Sequence, residues 1–158
     1  MNRIYDLIES VKDYRVLFVG DSIIDEYHYV TSLGKSPKEH LIPVHFDSKE
    51  VFDGGVAAAA KHARSFCAAV DVHTTGPAIR KVRYVDPSGT RKLFEVHYNC
   101  NGWSGGPIKR GYDVTVVADF GHSKMPPIGG DFVAINTQTN SSNIGYNLIT
   151  KYDRADYI

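Results

Sequence analysis

The chain has 158 residues, 18 Lys+Arg against 18 Asp+Glu, 42% hydrophobic residues and 2 cysteines, with a formal net charge of zero. A chain of this length buries roughly two-thirds of the surface it exposes when unfolded, so one domain (1–158) with a hydrophobic core needs neither disulfides nor metal. Balanced charge excludes a general nucleic-acid binder; apolar runs such as Val114 to Ala118 fall far short of the roughly 20 residues of a membrane span.

In chain order, Ile4, Leu7, Ile8 and Val11 recur at helical spacing and predict an amphipathic helix over about 2–13 that packs on a sheet. This opening carries acids and no apolar stretch of the signal-peptide kind, which predicts a cytoplasmic protein with no membrane partner. Arg15 to Gly20 (RVLFVG) is a near-continuous apolar run, the pattern of a strand buried on both faces. Val70 to Thr74, Asp113 to Ala118 and Phe132 to Asn136 repeat that pattern, which predicts a parallel sheet. Between the first two of these strands, Gly54-Gly55 opens an Ala-rich helix running to Cys67, so a right-handed strand–helix–strand unit is expected.

Leu41 to Phe46, and the pair Arg80–Val85 and Arg91–Tyr98 around the turn Asp86-Pro-Ser-Gly89, alternate apolar and polar residues. Alternation of that kind predicts antiparallel strands with one wet face, a small flap beside the parallel sheet. Asp119 to Asp131 must join two of the buried strands through Pro126-Pro127 and Gly129-Gly130. That length is near the minimum for a crossover and hostile to a helix. Either the helix is missing, or those strands are not parallel neighbours. Asn99 to Gly111, rich in Gly and Asn, reads as a loop. Cys67 and Cys100 form no CxxC or ligand cluster; Cys67 reads as a buried thiol, and no metal site is expected.

Open parallel sheets bind ligands beyond the carboxyl ends of their strands. That rule selects Asp21, Ser22 and Asp25 after the first strand, Asp119, His122 and Lys124 after the third, and Asn136, Gln138, Asn140 and Asn143 after the fourth. Asp21 and Asp25 can accept hydrogen bonds from hydroxyls or cap their loop. Gly54 and Gly55 can let a ligand approach the backbone or make an ordinary turn. His122 can do acid–base work, bind a phosphate, or simply be solvated. Arg80, Lys81, Arg83, Arg91 and Lys92 can reach a phosphate from the flap or form its solvated face.

Phe18 to Ser22 (FVGDS) resembles the first block of the GDSL serine hydrolases, and Asp119-Phe-Gly-His122 has that family's Asp-x-x-His spacing. This resemblance would make Ser22 a nucleophile, although no Gly-x-Asn-Asp block follows to build an oxyanion hole. A second resemblance covers about Tyr14 to Ile158. Its carriers, in order, are Val16 to Asp25 (VLFVGDSIID), Lys35 to Glu39 with Ile42-Pro-Val44, Asp53-Gly-Gly55 and Arg83 to Asp86. They continue with Lys92 to Val96, Val116 to His122 (VVADFGH) and Ala134 to Asn140 (AINTQTN). Together they resemble a PfkB-type, ribokinase-like carbohydrate kinase of the heptose-phosphate-kinase-like branch.

That resemblance implies a three-layer α/β fold with a parallel core sheet and a small antiparallel β lid, formed by segments about 26–47 and 79–98. It implies sugar or sugar-phosphate binding through Asp21, Asp25, Gly54, Gly55, Asp119, His122, Asn136 and Gln138. ATP and Mg²⁺ would be the cofactors if the chain is active. The family's Gly-Ala-Gly-Asp segment, which supplies the general base, is absent, so the expectation is a truncated, sugar-binding half that is not active alone. A noncatalytic sugar-binding or assembly module, with a second copy or partner chain covering the sheet edge, is the alternative.

Overall fold

A computed structural model describes residues 2–89, 91–98, 108, 111–123, 125–138, 152 and 155–158. Arg15–Gly20 forms β1, buried from Val16 onward. A strand apolar on both faces needs neighbours along both edges, and β1 has them. β4 (Ala69–Thr74) pairs with one edge and β7 (Val114–Asp119) with the other; β8 (Phe132–Thr137) lies beyond β7. All three pairings are parallel, in the order β4-β1-β7-β8.

On one face, helix α2 (Gly55–Ala63) buries Val56, Ala60 and Ala63 against Val16, Phe18, Cys67 and Ala118. Small side chains let the helix approach closely, and each Val removed from water contributes about 1.5–3 kcal/mol. The opposite face carries no helix among the described residues. Leu17 and Val19 pack there on Tyr112. Val117, Val133 and Ile135 pack on Met125, with Ile128, Tyr152 and Ala155 around them. The connection from β7 to β8 therefore joins parallel neighbours without a helix. Its prolines exclude one, and Met125 and Ile128 supply the apolar cover instead.

Several expectations are corrected: the Ala-rich helix ends at Ala63 rather than at Cys67, and the strand read over Leu41 to Phe46 starts at Val44 and runs on to Gly54. Helix α1 spans Asn2–Ser10 rather than reaching residue 13, and it does not pack on the sheet: Ile4, Leu7 and Ile8 are exposed. Only four residues join α1 to β1, and Val11, at that joint, is the stripe residue that reaches the core. The flap is larger than its alternation suggested. β2 (Ser22–Ser32) and β3 (Val44–Gly54) form one hairpin, and β5 (Ile79–Asp86) and β6 (Arg91–Tyr98) form another. β2 and β5 both leave the carboxyl end of the core sheet, so they run parallel, and the lid is a mixed sheet in the order β3-β2-β5-β6.

The outer edge of β8 carries residues near the end of the chain. The Ile135 N–H donates to the Tyr157 carbonyl at 2.8 Å, and the Asp156 N–H donates to the Val133 carbonyl at 2.8 Å.

Candidate functional site at the lid–core junction

Asp21 alone separates β1 from β2, so the chain leaves the core sheet for the lid at the carboxyl end of its central strand. Asp21 is buried and its carboxylate is fully engaged. It accepts hydrogen bonds from Thr75 Oγ1 at 3.1 Å, from Ser123 Oγ, and from the backbone N–H groups of Phe120 and His122 at 3.2 Å each. Its carbonyl accepts the Val56 N–H at 2.9 Å, which ties the first turn of α2 to the same point. Asp119, also buried, accepts the Gly121 N–H at 2.9 Å and the Tyr152 hydroxyl at 2.5 Å. Two buried carboxylates thus hold the 119–123 loop in one conformation; their geometry is that of anchors.

The same loop presents His122. Its ring is buried and Nε2 has no hydrogen-bond partner among the described residues. Burial pushes its pKa below the ordinary histidine value, and the charge of Lys81 pushes it the same way, so the ring is neutral at pH 7. A neutral imidazole with an unpaired nitrogen can donate to, or accept from, a ligand according to its tautomer.

Facing this loop is one side of the lid. Strand register sets Asp25, Lys81 and His97 side by side, with Tyr27, Arg83 and Glu95 in the next row. Arg83 pairs with the Asp25 carboxylate, reaches Glu95 at 2.6 Å and lies over the Tyr27 ring at 5.2 Å. His97 hydrogen-bonds Glu95, and its ring stands 6.4 Å from that of His122. The two histidines are where lid and loop meet. Gly54 closes the base: a Cβ there would collide with the Asp25 carboxylate. Gly55, at φ +59°, adopts the left-handed backbone that favours glycine, and a Cβ there would strike the Asp21 carbonyl.

Of the residues singled out from sequence, Asp21, Asp119, His122, Gly54, Gly55 and Asp25 converge on this junction. Asp25 lies within β2 rather than in a loop after β1. Gln138 is tied to the margin of the junction by its N–H, which donates to the Asp119 carbonyl at 2.9 Å, and Asn136 stands in the edge strand β8, with β7 between it and β1. Arg80 points to the other lid face, where it pairs with Glu26, and Arg91 and Lys92 are exposed at the far end of the hairpin. Lys124, Asn140, Asn143, Cys100 and most of the Asn99–Gly111 stretch lie outside the described residues.

Sequence reading missed Thr75, Ser123, Tyr152, Glu95 and His97. The histidine and glutamate sit two residues apart in a strand whose alternation was visible, which puts them on one face; that Arg83 shares that face follows from the register of the paired strands. The partners of Asp21 are brought in by tertiary structure alone. Ser22 opens β2, and His122 Nε2, without a partner, makes no hydrogen bond to it. Among the described residues no group of three or more His, Cys, Asp or Glu side chains is placed to hold a metal ion.

No family model matches the chain, and no curated protein matches it. Its structure is similar to solved structures of the ribokinase class. One is a nucleoside kinase from Methanocaldococcus jannaschii, an archaeal member of the ribokinase family: 9% identity over 78% of this chain and 52% of that one, TM-score 0.43. Another is a ribokinase from Thermotoga maritima, with 12% identity over 77% and 52% and a TM-score of 0.37. A third is a ribokinase from Cryptococcus neoformans var. grubii, solved in complex with ADP, with 14% identity over 66% and 41% and a TM-score of 0.37. The chain spans about half the length of these structures.

Proposed function

We propose that the lid–core junction is the sugar-binding half of a carbohydrate-kinase-like site, with Asp25 as the acceptor for sugar hydroxyls. The observation that carries this reading is the convergence, on one face, of Asp25, Lys81, Arg83 and His97 from three lid strands against His122 from the core loop. A polyol needs several donors and acceptors fixed at close quarters, and a carboxylate held in place by an arginine is a strong, fixed acceptor. Gly54 supports the reading because it keeps the carboxylate clear of backbone substituents. The ordered sequence blocks from Val16 to Asn140 support it independently.

The sequence holds neither a P-loop lysine motif nor the Gly-Ala-Gly-Asp segment, so none of the described residues is assigned to ATP or Mg²⁺. Binding, rather than phosphoryl transfer, is the activity proposed for this chain.

Calorimetric titration of a panel of hexoses, heptoses and their phosphates, with and without Mg-ATP, tests it. The wild type should bind a member of the panel without needing nucleotide. Asp25→Ala should weaken that binding about 5- to 150-fold, the cost of about 1–3 kcal/mol for a lost charged hydrogen-bond partner. Equal affinity of the two proteins would reject the role of Asp25. No binding by the wild type would reject the half-site.

A further inference from the structure

The α2 face of the core sheet is only partly covered. Beside α2 lies an open groove of about 620 Å³ whose walls include Val16, Phe18, Phe66, Val114, Val116 and Phe132. Val11 and Tyr14 also line it, and Val11, just past the end of α1, continues the Ile4–Leu7–Ile8 stripe of that helix. The helix stripe and the groove are therefore one continuous apolar surface: a ridge that runs out of its own trough. A soluble monomer rarely exposes a contiguous apolar patch of this extent without a use for it.

We infer that this surface is the interface of a two-fold dimer of the chain, in which α1 of each copy lies in the groove of the other. A two-fold interface is isologous, so one patch must supply both the inserting and the receiving element, as this one does. The area agrees. Ile4, Leu7, Ile8, Tyr14, Phe66 and Phe132 are between 41% and 69% exposed. With apolar and aromatic side chains each worth about 150–250 Å², they present on the order of 600 Å² per copy. A standard interface buries about 800 Å² per partner, polar rim included. The helix acids Asp6 and Glu9 fall on the side of α1 away from the stripe, so the face that inserts carries no carboxylate. This inference rests on a different face of the sheet from the sugar reading and does not depend on it.

Sedimentation analysis of the full chain from about 1 to about 100 μM, a range that brackets micromolar association, should show a dimer. Leu7→Glu and, separately, Phe132→Glu each place a charge on an exposed position of the patch and should shift the protein to monomer, with unchanged circular dichroism. Phe94→Glu, on the exposed outer face of the lid, should leave the dimer intact. A wild type monomeric throughout that range overturns the proposal and leaves the groove to a different chain. A dimer that survives both patch variants, or that only Phe94→Glu dissolves, overturns it too.

Discussion

Asp21 and Asp25 lie four residues apart and have opposite surroundings. Asp21 is buried, with four donors on its two oxygens; Asp25 is partly exposed and tied to one arginine. An acceptor already saturated has nothing left for a ligand, so Asp21 belongs to stability, while Asp25 keeps an exposed side for the binding proposed above. Removing the Asp21 carboxylate takes away the acceptor that the N–H groups of Phe120 and His122 share, while Thr75 and Ser123 can still satisfy one another across 2.6 Å. Each buried donor left unpaired costs about 1–3 kcal/mol. Asp21→Ala should therefore lower unfolding stability by about 2–4 kcal/mol, and Asp21→Asn by less, in urea denaturation. A loss below about 0.5 kcal/mol, the ordinary scatter of surface substitutions, would show that the loop is held by other contacts.

Within the lid, the outer face has its own charged centre. Glu26 is buried beside Arg80, which donates to it from Nη2 at 3.0 Å and from Nε, and beside His28 at 3.0 Å. The Arg80 hydrogen bonds, followed by that of His28, bring the Glu26 pKa down from 4.5 to about 2. A carboxylate whose folded pKa is depressed contributes stability that is present above its unfolded pKa and lost as pH falls through the folded one. The wild type should therefore lose stability between about pH 4.5 and pH 2 more steeply than Glu26→Gln, read as the urea midpoint across that range; parallel profiles would reject the pair as a source of acid sensitivity. The four core strands were legible because strands buried on both faces must be apolar at nearly every position, and the observed ends fall within a residue of those read from sequence. β2 and β3 were legible only in part: the alternation over Leu41 to Phe46 caught the start of β3, and the lid segment about 26–47 caught most of β2 but stopped short of the end of β3. Every residue of β3 between its two ends is exposed, and the hairpin is held by cross-strand contacts such as Tyr29 to Glu50 at 2.5 Å and Thr31 to Asp47 at 2.8 Å, which leave no apolar period to read. The junction was half legible for the same reason: the rule about strand ends found Asp21, Asp119 and His122, whereas Glu95 and His97 depend on a register that only the paired strands define.

At the scale of the whole molecule, the two sheets differ in how firmly they are held. Val19, Val117 and Val133 are at most 1% exposed at the centre of the core sheet, whereas β3 and β6 contain no buried residue. The chain passes between the two sheets at four places, Asp21 between β1 and β2, Gly54-Gly55 between β3 and α2, Thr75 to Ala78 between β4 and β5, and the connection from β6 to β7, and an opening of the lid would hinge on these connections rather than on the strands that the core buries. Regions with few buried apolar contacts open locally at free energies below that of global unfolding. Native-state hydrogen exchange should separate the two: amides of β1 and β7 should exchange through global unfolding, with the full dependence on denaturant, and those of β3 and β6 through smaller openings that denaturant hardly affects. A lid of this kind would admit and release a ligand at the Asp25 face while Asp21 keeps the 119–123 loop in place. If β3 and β1 instead follow one exchange isotherm from the lowest denaturant upward, lid and core form a single cooperative unit, and ligand exchange would have to proceed without lid opening.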